Sequence, residues 1–244
     1  MYPEGFAVST NQEVFNDLLA IAKKHSPKTR VVPKATVWWH RAIDKILKVV
    51  GNDSYLDGYW TTIGFTIYQP GDEVNEDWWS AIPHEGGHSI QAKKWTRPLF
   101  GSLYLMGTPV WLLPAVLFSW PFFVWLPWWS GLIFVLAFLL LSFPPFGFYR
   151  AHWEFQMYGL SLAMRYWQGG DVSSGYIETR AKQFTGPDYF YMHPYRRSAE
   201  KKLREYVEMA KTGKIFDEPY GDYMKEVYKV LVKHNRVQNH PARA

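Results

Sequence analysis

The sequence predicts a mostly helical α+β domain interrupted by an apolar helical hairpin. Three observations carry this. Apolar residues recur at helical spacing in the first and last thirds of the chain; one run, "WTTIGFTIYQP" (60–70), is β-branched, aromatic and closed by Pro-Gly; and Pro98 to Tyr149 is 52 residues without one Asp, Glu, Lys, Arg or His. The division that follows is a discontinuous domain over 1–97 and 148–244, with the hairpin at 98–147. A chain of 244 residues is long enough to bury a substantial core.

Thr10 to Glu13 has the pattern of a capping box, opening a helix to about Lys24 with Val14, Phe15, Leu18, Leu19 and Ala22 on its inner face. A second helix is expected from about Trp39 to Val50, where Ile43, Ile46, Leu47 and Val50 recur at helical spacing before Gly51. The run 60–70 reads as a strand. Next comes "IPHEGGHSIQ" (82–91), whose helix either starts near Ser80, with Pro83 in its first turn, or bends just before His84. Beyond the apolar stretch, helices are expected at 149–168, 173–185, 196–212 and 221–234, the first closed by the glycines of "WQGGD" (167–171).

The uncharged stretch can supply two apolar arms, turning at "LPWWSG" (126–131) with Trp125, Trp128 and Trp129 at the turn, where amphipathic rings favour a membrane interface. The second arm is bracketed by Pro127 and Pro144, leaving about 16 residues, roughly 24 Å at helical rise against a hydrocarbon core near 30 Å. A spanning hairpin, a shallow or re-entrant one, and one buried against a partner protein all fit that length. Its ends are flanked by "KKWTR" (93–97) and Arg150, which the positive-inside tendency assigns to the cytoplasmic side of a membrane.

Composition narrows the function. The 13 Trp, 16 Tyr and 16 Phe suit a membrane boundary or a large interface. A net charge of +5 is modest, and "RRSAEKKLR" (196–204) alternates signs, so it reads as a solvated helix face and not as a nucleic-acid patch. Without cysteine, disulfides and thiolate metal sites are excluded, and any zinc must be held by His, Asp or Glu. The N-terminus lacks the basic start and apolar run of a secretory signal. No phosphate-binding loop and no serine or cysteine nucleophile stands out, and His25, His40, His234 and His240, set among charged residues, read as surface residues.

The motif at 84–88 carries the chemistry. His84 and His88, four apart on a helix, can aim ring nitrogens at one ion, while Glu85, turned by about 100° from His84, falls beside that ion and suits a general base. Zinc held by three protein ligands lowers the pKa of a water in its fourth position to about 7. The bland alternative is a helix whose histidines satisfy ordinary hydrogen bonds. Gly86 and Gly87, costly inside a helix, imply that something approaches the backbone closely; tight helix packing would suffice.

A third ligand is needed, and His152, Glu154 and His193 are the candidates. On a helix His152 and Glu154 point about 200° apart, so only one can face the ion. Glu154 shares its face with Arg150 and Tyr158, although an Arg150–Glu154 surface pair explains the same spacing. Glu154 lies 66 residues after His88, and 52 of those belong to the uncharged stretch, so folding the hairpin away brings two helices side by side. Tyr158, His193 and Tyr195 are candidate donors to a transition-state oxyanion, and Tyr158 is carried forward as the catalytic candidate.

"HEGGH" followed by "YRAHWEFQMYG" (149–159) resembles the glutamate zincins, zinc metallopeptidases with a glutamate ligand on the helix after the motif. The order of motif, apolar hairpin and glutamate helix is similar to that of the membrane group containing the CAAX prenyl proteases and heat-shock membrane peptidases. The resemblance implies a zincin-like fold, His84, His88 and Glu154 as Zn2+ ligands, Glu85 as catalytic base, and a peptide or protein substrate cleaved at or near a membrane. It departs from that group in lacking helices of membrane type before the motif and in having Met157 and Tyr158 where an alanine and an aspartate are common. The rival expectation is a structural or assembly protein, such as a virion or secretion-machine component, with a non-catalytic zinc and a hairpin that enters a lipid bilayer or a large protein assembly.

Overall fold

The computed structural model describes residues 9–49, 53–106, 119–121, 123–125, 127–141, 147–186, 189 and 191–242. The domain is mostly helical with one small sheet, as the periodicities predict. α1 (Asn11–His25) begins at Thr10, whose side chain accepts from the Glu13 amide while Glu13 reaches back to the Thr10 amide, the full capping box. Its Val14, Phe15, Leu18 and Ala22 are buried against the motif helix.

β1 (Arg30–Pro33) leads through a short 3-10 turn into α2 (Trp38–Val49) and the single-turn α3 (Tyr55–Gly58). The expected single strand at 60–70 is two strands, β2 (Thr61–Ile63) and β3 (Thr66–Gln69), reversed at Gly64 with φ of 62°, a conformation glycine adopts without strain. β3 lies in the centre, pairing antiparallel with β2 and parallel with β1, which leaves β2 at an edge.

A 3-10 segment at Glu76–Ala81 runs directly into α4 (Ile82–Trp95), so Pro83 falls in the first turn, where its missing amide hydrogen costs nothing. α5 (Arg97–Leu105) follows at once, then α6 (Trp128–Leu141), α7 (Phe148–Trp167), α8 (Ser174–Thr185), α9 (Arg196–Thr212) and α10 (Gly221–Lys233). The helices expected after the apolar stretch agree with these to within a residue or so at each end. The core is continuous across α1, α4 and α7 to α10, with α7 at its centre. A smaller aromatic cluster, Phe100 and Trp153 with Tyr104 and Tyr149 against them, fastens α5 to α7.

Of the apolar stretch, 107–118, 122, 126 and 142–146 lie outside the described residues, and with them about half of the expected first arm. The second arm is α6, 14 residues or about 21 Å of helix. Among the described residues no helix is long and apolar enough to cross a membrane. Trp125, Trp128 and Trp129 are exposed at the expected turn, and α6 exposes Ile133, Leu136 and Leu140.

Two histidines read as surface residues are buried. His40 bonds through Nδ1 to the Tyr55 hydroxyl at 2.8 Å, and His234 through Nε2 to Asp17 at 2.8 Å. The charged residues next to them, Arg41 and Lys233, are exposed while the rings turn in, which proximity in sequence does not reveal.

Candidate metal centre

α4 and α7 approach closely where α4 carries only a glycine, Gly87, against Met157 of α7. A Cβ built on Gly87 would stand 1.8 Å from Met157 Sδ, and one on Gly86 would stand 2.7 Å from the Tyr223 hydroxyl and 2.8 Å from Ala22 Cβ. Tight helix packing, on two sides, is thus the reason for the paired glycines. It brings His84 and His88 against the face of α7 that carries Glu154, Tyr158 and Ser161, residues four and three apart on one stripe.

His84, His88 and Glu154 form the one group of three or more such side chains, among the described residues, whose donor atoms converge enough to hold a metal ion. The two Nε2 atoms are 3.2 Å apart, His84 Nε2 lies 3.5 Å from Glu154 Oε2, and His88 Nε2 lies 3.7 Å from Glu154 Oε1. Donors about 2.1 Å from a tetrahedral ion stand about 3.4 Å apart, so the three separations suit a single small ion. Glu154 Oε2 is buried without a hydrogen-bond partner, an arrangement that is expensive for a carboxylate unless a cation completes it.

The ligands are oriented from behind. His84 Nδ1 lies 3.0 Å from Ser161 Oγ and His88 Nδ1 lies 2.8 Å from Gln91 Oε1. Gln91 donates its amide to the Trp153 carbonyl and to Gln156 Oε1, which fixes Oε1 as the acceptor toward His88. Nδ1 of His88 therefore carries a proton, and Nε2 faces the cluster. Glu154 Oε1 accepts a hydrogen bond from the Tyr104 hydroxyl, whose ring also packs on the edge of His88.

Burial works against a charge on Glu154, but His88 and His84 beside it overcome that and hold its carboxyl well below the usual range. Burial likewise opposes a charge on His88, and Glu154 outweighs it, so His88 is raised. The fold thus offers a negative, buried donor set in which a cation can take the place of a shared proton.

Glu85 is not one of the three converging donors; it is 9 % exposed, and its Oε2 accepts from Thr62 Oγ1 of β2 at 2.6 Å. It opens with His84 on a cleft of about 420 Å³ walled by Tyr59 and Trp60 on one side and by Tyr158 and α8 on the other. A wider hollow of about 670 Å³ lies on the outer face of α9, where Arg197, Lys201 and Arg204 alternate with glutamates; none of the candidate residues is there, and its mixed charge agrees with a solvated helix face.

Of the other candidates, Tyr158 joins the site. Its ring is 5.1 Å from that of His84, and its hydroxyl is 2.6 Å from that of Tyr189, with burial first and Glu154 next raising its pKa. His152 is on the outer face of α7 against Gln156, His193 packs on Phe155, and Tyr195 is exposed. The residues that sequence reasoning missed are Tyr104, Thr62, Gln91 and Ser161. Gln91 at three residues after His88 and Ser161 at seven after Glu154 share faces with the ligands, a signal that was there to be used; Tyr104 and Thr62 come from elsewhere in the chain and left none.

No family model, curated protein or solved structure matches this chain.

Proposed function

We propose that the protein is a zinc-dependent peptidase. The observation that carries the reading is the convergence of two imidazoles and an ionised glutamate around an unpartnered carboxylate oxygen, with a second glutamate beside them opening on a cleft. His84, His88 and Glu154 hold the ion. Zinc so held supplies a Lewis acid for a carbonyl oxygen and an acidified water at its open position.

Glu85 is the base: it takes a proton from the attacking water and passes it to the leaving amine. Thr62 orients that carboxylate by bonding one oxygen, leaving the other for the proton. Tyr158, a neutral hydroxyl held by Tyr189, donates to the oxyanion that forms as the carbonyl is attacked. The peptide enters along the cleft beside the edge strand β2.

The exposed apolar face of α6 supports placing this chemistry at a lipid bilayer or within a large protein assembly. It also supports the second reading, an assembly protein in which zinc only ties α4 to α7. Elemental analysis of the purified protein beside the Glu85→Gln variant separates the two. A peptidase holds about one zinc per chain in both and cleaves peptides only with Glu85 intact. Unchanged cleavage in Glu85→Gln, or no zinc in the wild type, overturns the peptidase reading.

A further inference from the structure

The wall of the cleft opposite Trp60 has no part in the chemistry above. It is formed by α8, which presents Tyr176, Arg180 and Gln183. Arg180 Nε donates to the Tyr176 hydroxyl at 3.0 Å and Nη1 donates to Gln183 Oε1 at 2.9 Å. Both partners are neutral. The acid closest to it on the same helix, Glu178, is taken by Arg196, and among the described residues no carboxylate pairs with Arg180.

A half-buried guanidinium with no counter-charge is costly to keep. Here it is held in one orientation by two hydrogen bonds and by the Tyr176 ring, 5.0 Å from centroid to guanidinium carbon. Nη2 has no hydrogen-bond partner among the described residues, and Arg180 lines the cleft. A planar fork fixed in this way matches the two oxygens of a carboxylate, and a lysine in its place would not. Glu85, the other formal charge lining the cleft, repels an anion from its own end, so a bound carboxylate is directed toward α8.

We propose that Arg180, positioned by Tyr176 and Gln183, binds a carboxylate of the peptide substrate, either its C-terminal α-carboxylate or an Asp or Glu side chain. That the ligand is a peptide rests on the peptidase reading; that it is a carboxylate rests on α8 alone. A protein built this way selects among peptides by charge at one position and not by length or bulk. If the carboxylate is the C-terminal one, the reaction removes a residue or a short piece from a chain end.

Three dye-labelled peptides test this by fluorescence anisotropy on the full-length Glu85→Gln protein, where cleavage does not interfere. All are otherwise neutral: one has a free C-terminus, one is C-terminally amidated, and one is amidated with an internal Glu. At least one carboxylate peptide is expected to bind about tenfold tighter than the neutral amide, and Arg180→Gln to erase the difference. Tighter binding of the first peptide alone assigns the α-carboxylate, and of the third alone the side chain. Equal binding of all three overturns the proposal, as does discrimination that survives Arg180→Gln but disappears in His84→Ala, which would give the carboxylate to the metal cluster. Arg180→Lys, keeping the charge without the fork, answers the question if Arg180→Gln does not fold, and is expected to lose most of the preference. Cleavage by the wild type is scored separately, so a peptide that binds through Arg180 yet is never cut sinks the peptidase reading and leaves this one standing.

Discussion

Met157 Sδ occupies the space where a side chain on Gly87 would begin, 1.8 Å from the position of its Cβ. Gly87→Ala therefore forces α4 and α7 apart or Met157 out of its place, and overpacking of this kind costs about 1 to 3 kcal/mol. Because the same two helices carry the metal donors, thermal unfolding and zinc content are expected to fall together. Met157→Ala in the Gly87→Ala background should recover part of the loss, so the two changes are non-additive in a double-mutant cycle. Strict additivity would mean that the two residues do not compete for that space.

Gln91→Ala and Ser161→Ala remove the groups behind His88 and His84 without touching a ligand. Each is expected to weaken zinc about 10 to 100-fold in competition against a chromophoric chelator, the range for second partners of ligating histidines. Gln91→Ala should cost more, since Gln91 also ties α4 to α7 through Trp153 and Gln156. Unaltered affinity in both would show that the rings need no support beyond their own packing.

His40 provides a pH signature outside the candidate metal centre. Burial, and then the Lys34 ammonium nearby, push its pKa down to about 4 from the ordinary 6.5. The folded state thus resists a proton that the unfolded chain accepts. Stability contributed by the neutral ring is whole above pH 6.5 and is lost as pH falls from there toward 4, on the order of 2 kcal/mol across the window. His40→Gln, which does not titrate, should flatten this part of the curve in denaturant melts, and parallel curves for the two proteins would contradict the assignment.

α6 supplies a test of location. The protein is expected to float with phosphatidylcholine vesicles, and Ile133→Asp with Leu136→Asp to abolish flotation, since a charged side chain costs about 2.5 to 3.5 kcal/mol at the centre of an inserted helix. If the wild type stays at the bottom of the gradient, the apolar face belongs to a protein assembly.

What the sequence revealed and what it hid divide along physical lines. The convergence of His84, His88 and Glu154 was legible in part, because helical periodicity fixes direction within an element and setting aside the uncharged stretch suggested two neighbouring helices, while His152 and His193 stayed open as alternatives to Glu154. Gly64 in the middle of "TTIGFTI" marked the reversal between β2 and β3, yet the β-branched residues around it suggested one strand. Arg180, Thr62 and Tyr104 reach the site from three other segments, and which face of α8 or β2 turns toward α4 is settled by packing of the whole core. Paired glycines announced a close approach without saying that the approaching atoms were a methionine sulfur and a tyrosine hydroxyl.

Tyr104 lies in the last turn of α5, within the opening residues of the apolar stretch, and its hydroxyl is bonded to a carboxylate oxygen of Glu154. Coupling free energies are reciprocal. If the cluster holds an ion, a partner that shifts α5 is expected to alter how tightly that ion is held, and loading the ion to alter, by the same factor, how readily α5 shifts. Occupancy of the cluster and occupancy of the apolar surface are then two readings of one equilibrium.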